Sequence, residues 1–230
     1  MARLVRKGKN LLLSGKVGTI QFRTVRGKTF IISAPERHKK SKSKKAIAGR
    51  SNFASVVGFS KRINSISVIK DILNNSSLPG IDSYHKLMKG NMLKAEAGFL
   101  TTKNFITPPG QRLVVSDYFI EDHSIHTTFD MFGIIRAPLT LYQIFYLYNN
   151  RKTNDIFFFN LTTFIDIEQS NNIRKKGESK YSIKIELVEN VREMFSRYRD
   201  AIVYMAVKGT PMNKYKRFWT STIAKEITID

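Results

Sequence analysis

Ten cations crowd into 28 residues: Arg23, Arg26, Lys28, Arg37, Lys39, Lys40, Lys42, Lys44, Lys45 and Arg50. Lysine and arginine at this density neutralise phosphates, and the counterions released make such binding fall steeply with salt. Phe22 and Phe30 sit among them, and an aromatic ring beside cations can stack on an unpaired base. Phe22 reads more readily as a core residue packed on a following helix, whereas Phe30 suits either role. The ten cations are the candidate nucleic-acid-binding residues. No zinc finger, ribonucleoprotein motif or persuasive helix-turn-helix pattern accompanies them, so the contact is expected to be blind to base sequence.

Other chemistry finds little support. Arg26-Gly27-Lys28-Thr29 matches the end of a phosphate-cradling loop, but Gln21-Phe22 stand where its earlier glycine is required. His123 and His126, with Glu121, Asp122 and Asp130 nearby, form the one histidine–acid cluster. Positions three apart on a strand point to opposite faces, so these two rings would not converge on a metal unless they lay on a loop. Asp166 and Glu168 share a strand face and read as a solvated or salt-bridged pair, and His38 and His85 stand alone. The chain has no cysteine, which removes thiolate catalysis, disulfides and cysteine-held metals. No G-x-S-x-G or H-E-x-x-H is present. The expectation is no catalytic residue, no metal, no cofactor and no small-molecule substrate.

The charge is uneven. The net charge is +21 over 230 residues. Residues 1–50 hold 15 Lys/Arg against one acid, a net of +14, while 51–230 hold 24 against 17, a net of +7. Such concentration points to phosphate, anionic lipid or an acidic partner, with nucleic acid the favoured one. The plainer alternative is a solvated basic tail. The apolar run near the start, Leu11-Leu12-Leu13, is too short for a secretory signal. The most apolar stretch, 139–148, has half the ~20 residues of a membrane span. A soluble chain without a signal peptide is expected, cytoplasmic or within an assembly.

These residues need elements to hold them. Residues 16–33 alternate as a β-hairpin turning at Arg26-Gly27, because glycine tolerates the positive φ of a tight turn. In that register Ile20, Phe22 and Ile31 share one face, and Arg23 and Phe30 the other. Both faces carry apolar residues, so the hairpin must pack on something. Residues 1–14 read as a basic lead-in, and 35–45 as an exposed polar connector. Ser41 or Ser43 caps an amphipathic helix of about 30 residues, striped by Val56, Phe59, Ile63, Ile66, Ile69 and Leu73 and breaking near Asn64-Ser65. A shorter helix fits 82–94, capped by Asp82. Thr107-Pro108-Pro109-Gly110 breaks helix and strand alike and marks a boundary, giving a basic hairpin/helix region over 1–107 and a β-sandwich domain over 108–230.

Beyond it, seven β-branched and aromatic runs follow: Arg112–Tyr118, Ser124–Asp130, Leu139–Tyr148, Asp155–Ile167, Lys180–Val188, Ala201–Val207 and Phe218–Ile229. Glu189–Arg199 has helical spacing between two of them. The predicted class is α+β: a hairpin and long helix, then an immunoglobulin-like antiparallel β-sandwich. Phe157-Phe158-Phe159 must place aromatics on both faces of one strand, so its second face meets either the helical region or another molecule.

The stretch SGKVGTIQFRTVRGKTFIISAPERHKKSKSKKAIAGRSNFASVVGFSKRI resembles an uncharacterised bacterial family, known mainly from Bacteroidota as a domain of unknown function. The likeness lies in Ser-Gly-Lys-Val-Gly, a hairpin ending in Arg-Gly-Lys, a proline turn, and the helix pattern carried by Arg50, Phe53, Val56 and Val57. It covers roughly the first 90 residues. It implies an immunoglobulin-like β region downstream and lends no enzyme activity. This chain departs from the pattern at Ile32-Ser33-Ala34-Pro35 and in its lysine-rich connector. The expected protein is therefore a non-enzymatic structural or binding protein: a basic front on a polyanion and a β-sandwich for protein–protein contacts. The alternative is a structural subunit of a virion, filament or other homo-oligomeric assembly.

Overall fold

The computed structural model describes residues 3–7, 10–25, 28–33, 40–121, 123–132, 139–149, 155–165, 173–175, 178–209 and 218–229. The described residues mix helices with antiparallel sheets, which places the chain in the α+β class. It divides into two compact units, Met1–Lys42 and Ser43–Asp230.

The first unit is a four-stranded antiparallel meander: β1 (Arg3–Lys7), β2 (Asn10–Val17), β3 (Ile20–Val25) and β4 (Lys28–Ser33), in that order. Residues 3–7 and 10–14 thus form strands rather than a lead-in. Gly18, at φ +58, makes the tight turn between β2 and β3, a conformation that carries no steric cost for glycine. The Arg26-Gly27 turn lies outside the described residues. Val25 faces Lys28 across it, Phe22 pairs with Ile31, and Arg23 pairs with Phe30, as the sequence register requires.

The second unit opens with α1 (Lys44–Ser65), whose N-cap Ser43 accepts a hydrogen bond from the Ala46 amide at 3.2 Å. Ile66 adopts extended backbone and ends it, and α2 (Ser67–Asn74) carries on at once. The expected break therefore falls at Ile66, with Ile69, Ile72 and Leu73 buried after it. α3 (Ser83–Asn91) starts at Asp82, whose carboxylate accepts from the His85 amide at 2.9 Å and meets the His85 ring at 2.8 Å. The His85 amide holds the Asp82 carboxyl below its ordinary value of 3.8. A depressed pKa contributes stability above the unfolded value and loses it as pH falls through the folded one. Asp82→Ala is expected to cost about 1 kcal/mol at neutral pH. Urea melts of the variant and wild type should converge once the pH is below the lowered pKa.

Two sheets follow. β5 (Leu113–Glu121), β6 (Ser124–Phe132), β9 (Ile173–Lys175) and β10 (Glu178–Glu186) form one, in the order β5-β6-β10-β9. The other holds β7 (Leu139–Tyr148), β8 (Ile156–Ile165), β11 (Asp200–Gly209), β12 (Phe218–Trp219) and β13 (Ile223–Thr228). There β11 lies between β7 and the β12/β13 pair, and β8 lies beyond β7. The short helix α4 (Glu189–Phe195) leads from β10 to β11.

Period-two alternation sorts β7 and β11 onto two cores. Leu141, Phe145, Leu147, Ala201, Val203 and Met205 join Leu113, Val115, Ile125 and Phe129 between the sheets. Tyr142, Ile144, Tyr146, Ile202 and Tyr204 join Val56, Phe59, Ile63, Ile69, Leu73 and Leu87 of the helices. The helical region therefore covers the second aromatic face: the Phe59 ring lies 5.1 Å from Tyr204 and 6.1 Å from Phe158. Within the inter-sheet core, buried Gln143 accepts from the Tyr118 hydroxyl at 3.4 Å and donates to Thr127 at 3.3 Å. Burial pushes the Tyr118 phenol well up, so it stays a neutral donor.

The division at 42/43 leaves Thr107-Pro108-Pro109-Gly110 inside the second unit, not between two. Residues 95–110 are tied in by side chains that satisfy backbone groups. Asn91 bonds both ways with the Phe105 backbone at 2.8 and 3.0 Å, and the Tyr204 hydroxyl donates to the Thr101 carbonyl at 2.8 Å. Thr222 accepts from the Ile106 and Thr107 amides at 2.9 Å each. Leu100 and Ile106 are fully buried alongside. Among the described residues no helix is long and apolar enough to cross a membrane.

Candidate polyanion interface

Strand alternation and the pairing register sort the residues of β2–β4. Lys16 pairs with Gln21, Gln21 with Ile32, Arg23 with Phe30, and Val25 with Lys28. Directly opposed residues share a face, and neighbours along a strand do not. Lys16, Arg23 and Lys28 therefore lie on one face with Gln21, Val25, Phe30 and Ile32. Within residues 15–33 the opposite face holds Gly15, Val17, Ile20, Phe22, Thr24, Thr29, Ile31 and Ser33, none of them charged. Thr24 and Thr29 hydrogen-bond across it at 3.1 Å.

All three cations of the first face are exposed, and Phe30 keeps half its surface in solvent. A flat ring flanked by cations at strand spacing offers both elements of a single-strand platform, charge for phosphates and a π-face for a base. Phe22, on the opposite face, is half-buried.

Arg23 and Lys28 are thus brought together, and Lys16, which is not among the ten candidate cations, joins them. Counting alternation back through the Gly18 turn is the signal that finds it. Lys40 and Lys42 are exposed at the end of the first unit. Lys44 and Lys45 belong to the second unit and open α1, where no acid occupies the first turn. Cations there oppose the helix dipole at a cost of some tenths of a kcal/mol, so they are not placed for the helix's benefit. Arg50 lies exposed two turns further along α1. Arg26, Arg37 and Lys39 lie outside the described residues. Lys103–Glu96 and Arg197–Glu193 pair as ions, and the Asp82 carboxylate meets the His85 ring. None of these contacts uses Lys16, Arg23, Lys28, Lys40, Lys42, Lys44 or Lys45.

The other candidate chemistry is placed as follows. Lys28 and Thr29 open a strand, not a helix, so the glycine–lysine pair is no phosphate loop. His123 sits at the β5–β6 turn at φ +61, while the His126 ring stacks on Phe119 at 4.7 Å. Asp122, Asp166, Glu168 and His38 lie outside the described residues. Among those described, no group of three His, Asp or Glu side chains could hold a metal. No family model matches the chain, and no curated protein matches it.

Proposed function

We propose that this chain is a non-enzymatic binding protein whose N-terminal unit contacts a polyanion, nucleic acid foremost, without sequence preference. The observation that carries the reading is the sorting of β2–β4: Lys16, Arg23 and Lys28 on one exposed face with Phe30, and no acid anywhere on that sheet from 14 to 33. Lys40, Lys42, Lys44 and Lys45 extend the basic character along the chain. The second unit serves as a carrier for protein–protein contacts, and its two facing antiparallel sheets support an immunoglobulin-like architecture.

The test is a salt titration of binding to single- and double-stranded oligonucleotides of unrelated sequence. Log affinity should fall linearly with log salt, by roughly 0.7 to 0.9 per phosphate contacted. Protein purified at low salt should carry nucleic acid that a high-salt wash removes, seen in its absorbance ratio. Binding that is flat between low and moderate salt would overturn the proposal.

The second reading, a subunit of a larger assembly, is favoured by the apolar residues that Val17 and β3–β4 place on the other face. Val17, Ile20 and Ile31 there are 58%, 45% and 68% exposed, more apolar surface than a lone sheet leaves to water.

A further inference from the structure

β8 is the outer strand of its sheet: β7 pairs with it along all ten residues, without a register shift, and no described strand covers its other side. Proteins blunt such edges with lysine, proline, bulges or short length. Ile156–Ile165, IFFFNLTTFI, has none of these devices. It carries no charge on a chain of net charge +21. Copies of so basic a chain repel one another wherever cations are displayed. This strip is a place where two can meet with no like charges opposed.

We propose that β8 is a docking edge for a second copy of this chain, paired antiparallel about a two-fold axis normal to the sheet. Such an axis keeps each face continuous across the junction and sets a residue opposite its own counterpart. Centred on Asn160, the pairing runs from Ile156 to Phe164. It places Phe164, 79% exposed, opposite the partner's Ile156, and Phe157, 37% exposed, opposite the partner's Thr163. The edge amides of β8 gain hydrogen bonds, and the largest exposed ring on the strand gains an apolar neighbour.

Nuclease-treated protein, washed at high salt, is examined by light scattering over a concentration series at low and moderate ionic strength. The molar mass should double with concentration, and more readily at the higher salt, which screens the repulsion. That sign is opposite to the one expected for nucleic-acid binding, so the two proposals fail separately. Asn160→Lys with Thr162→Lys, both at exposed positions, sets like charges across the axis and should leave a monomer that melts as the wild type does. Hydrogen exchange of the wild type gives a measurement free of any variant: amides within 156–165 should slow as concentration rises. A wild type that stays monomeric overturns the proposal. So does a folded lysine variant that dimerises as before, or a doubled mass without slowed exchange in 156–165.

Discussion

Replacing Lys16, Arg23 and Lys28 together with glutamine is expected to weaken binding to a single-stranded oligonucleotide about 100-fold at ~0.1 M salt. Each phosphate contact on a single strand contributes roughly 0.7 to the slope of log affinity against log salt, so three contacts remove about 2 from the slope. At one decade below molar salt the same two units appear as the loss of affinity. The matched control is Lys70→Gln, Lys89→Gln and Lys184→Gln, three exposed cations of the second unit that remove the same net charge. If both triples lose equally, overall charge governs binding and the sheet face is no site. Phe30→Ala separates the ring from the charges. It should weaken single strands by about 1 kcal/mol or more while leaving duplexes unchanged, since only unpaired bases stack.

Lys86→Ala is expected to lower the unfolding free energy by about 2–3 kcal/mol, the largest stability effect of any lysine described. Lys86 is 7% exposed, and its ammonium donates to the carbonyls of Leu73, Asn74 and Ser76 at 2.9, 2.9 and 2.6 Å. Three N–H groups meet three acceptors at the C-terminal end of α2, where the helix dipole favours a cation. Leu73 O keeps the Ser76 amide at 3.1 Å and the Ser76 hydroxyl at 2.7 Å, whereas the carbonyls of Asn74 and Ser76 lose their lysine donor. Lys86→Met keeps the buried stem and removes only the ammonium, so most of the loss should persist. Exposed Lys89, three residues on, should change little as alanine. The check is a urea midpoint at constant m-value, and a methionine variant as stable as wild type would show that packing alone matters.

The parts of this fold visible beforehand were those written in side-chain periodicity. Val56, Phe59, Ile63, Ile69 and Leu73 announce the helices, and Ser43 and Asp82 announce their starts. Leu139–Tyr148 is bounded as expected because a run rich in apolar and aromatic residues ends at the Asn149-Asn150 turn signal. What stayed hidden depends on side chains serving distant backbone. Thr101 and Asn104 look like loop polarity, Asn91 like a helix residue and Thr222 like a strand residue, yet their bonds across up to 116 positions draw residues 95–110 into the core. Pro108-Pro109-Gly110 breaks regular structure without ending a folded unit. Leu11-Leu12-Leu13 lacks alternation, which kept β2 from view. At the candidate interface Arg23 and Lys28 were legible from the hairpin register, and Lys16 needed a second turn to be placed.

The double burial of β7 and β11 restricts how this architecture can be rearranged. Strands wetted on one side can be inherited, swapped or duplicated without their neighbours. These two, stripped of 43–107, would set loose Tyr142, Ile144, Tyr146, Ile202 and Tyr204 as a greasy sheet surface with nothing to lie against. Helices and strands of the larger unit must therefore travel together through any gene fusion or shuffling.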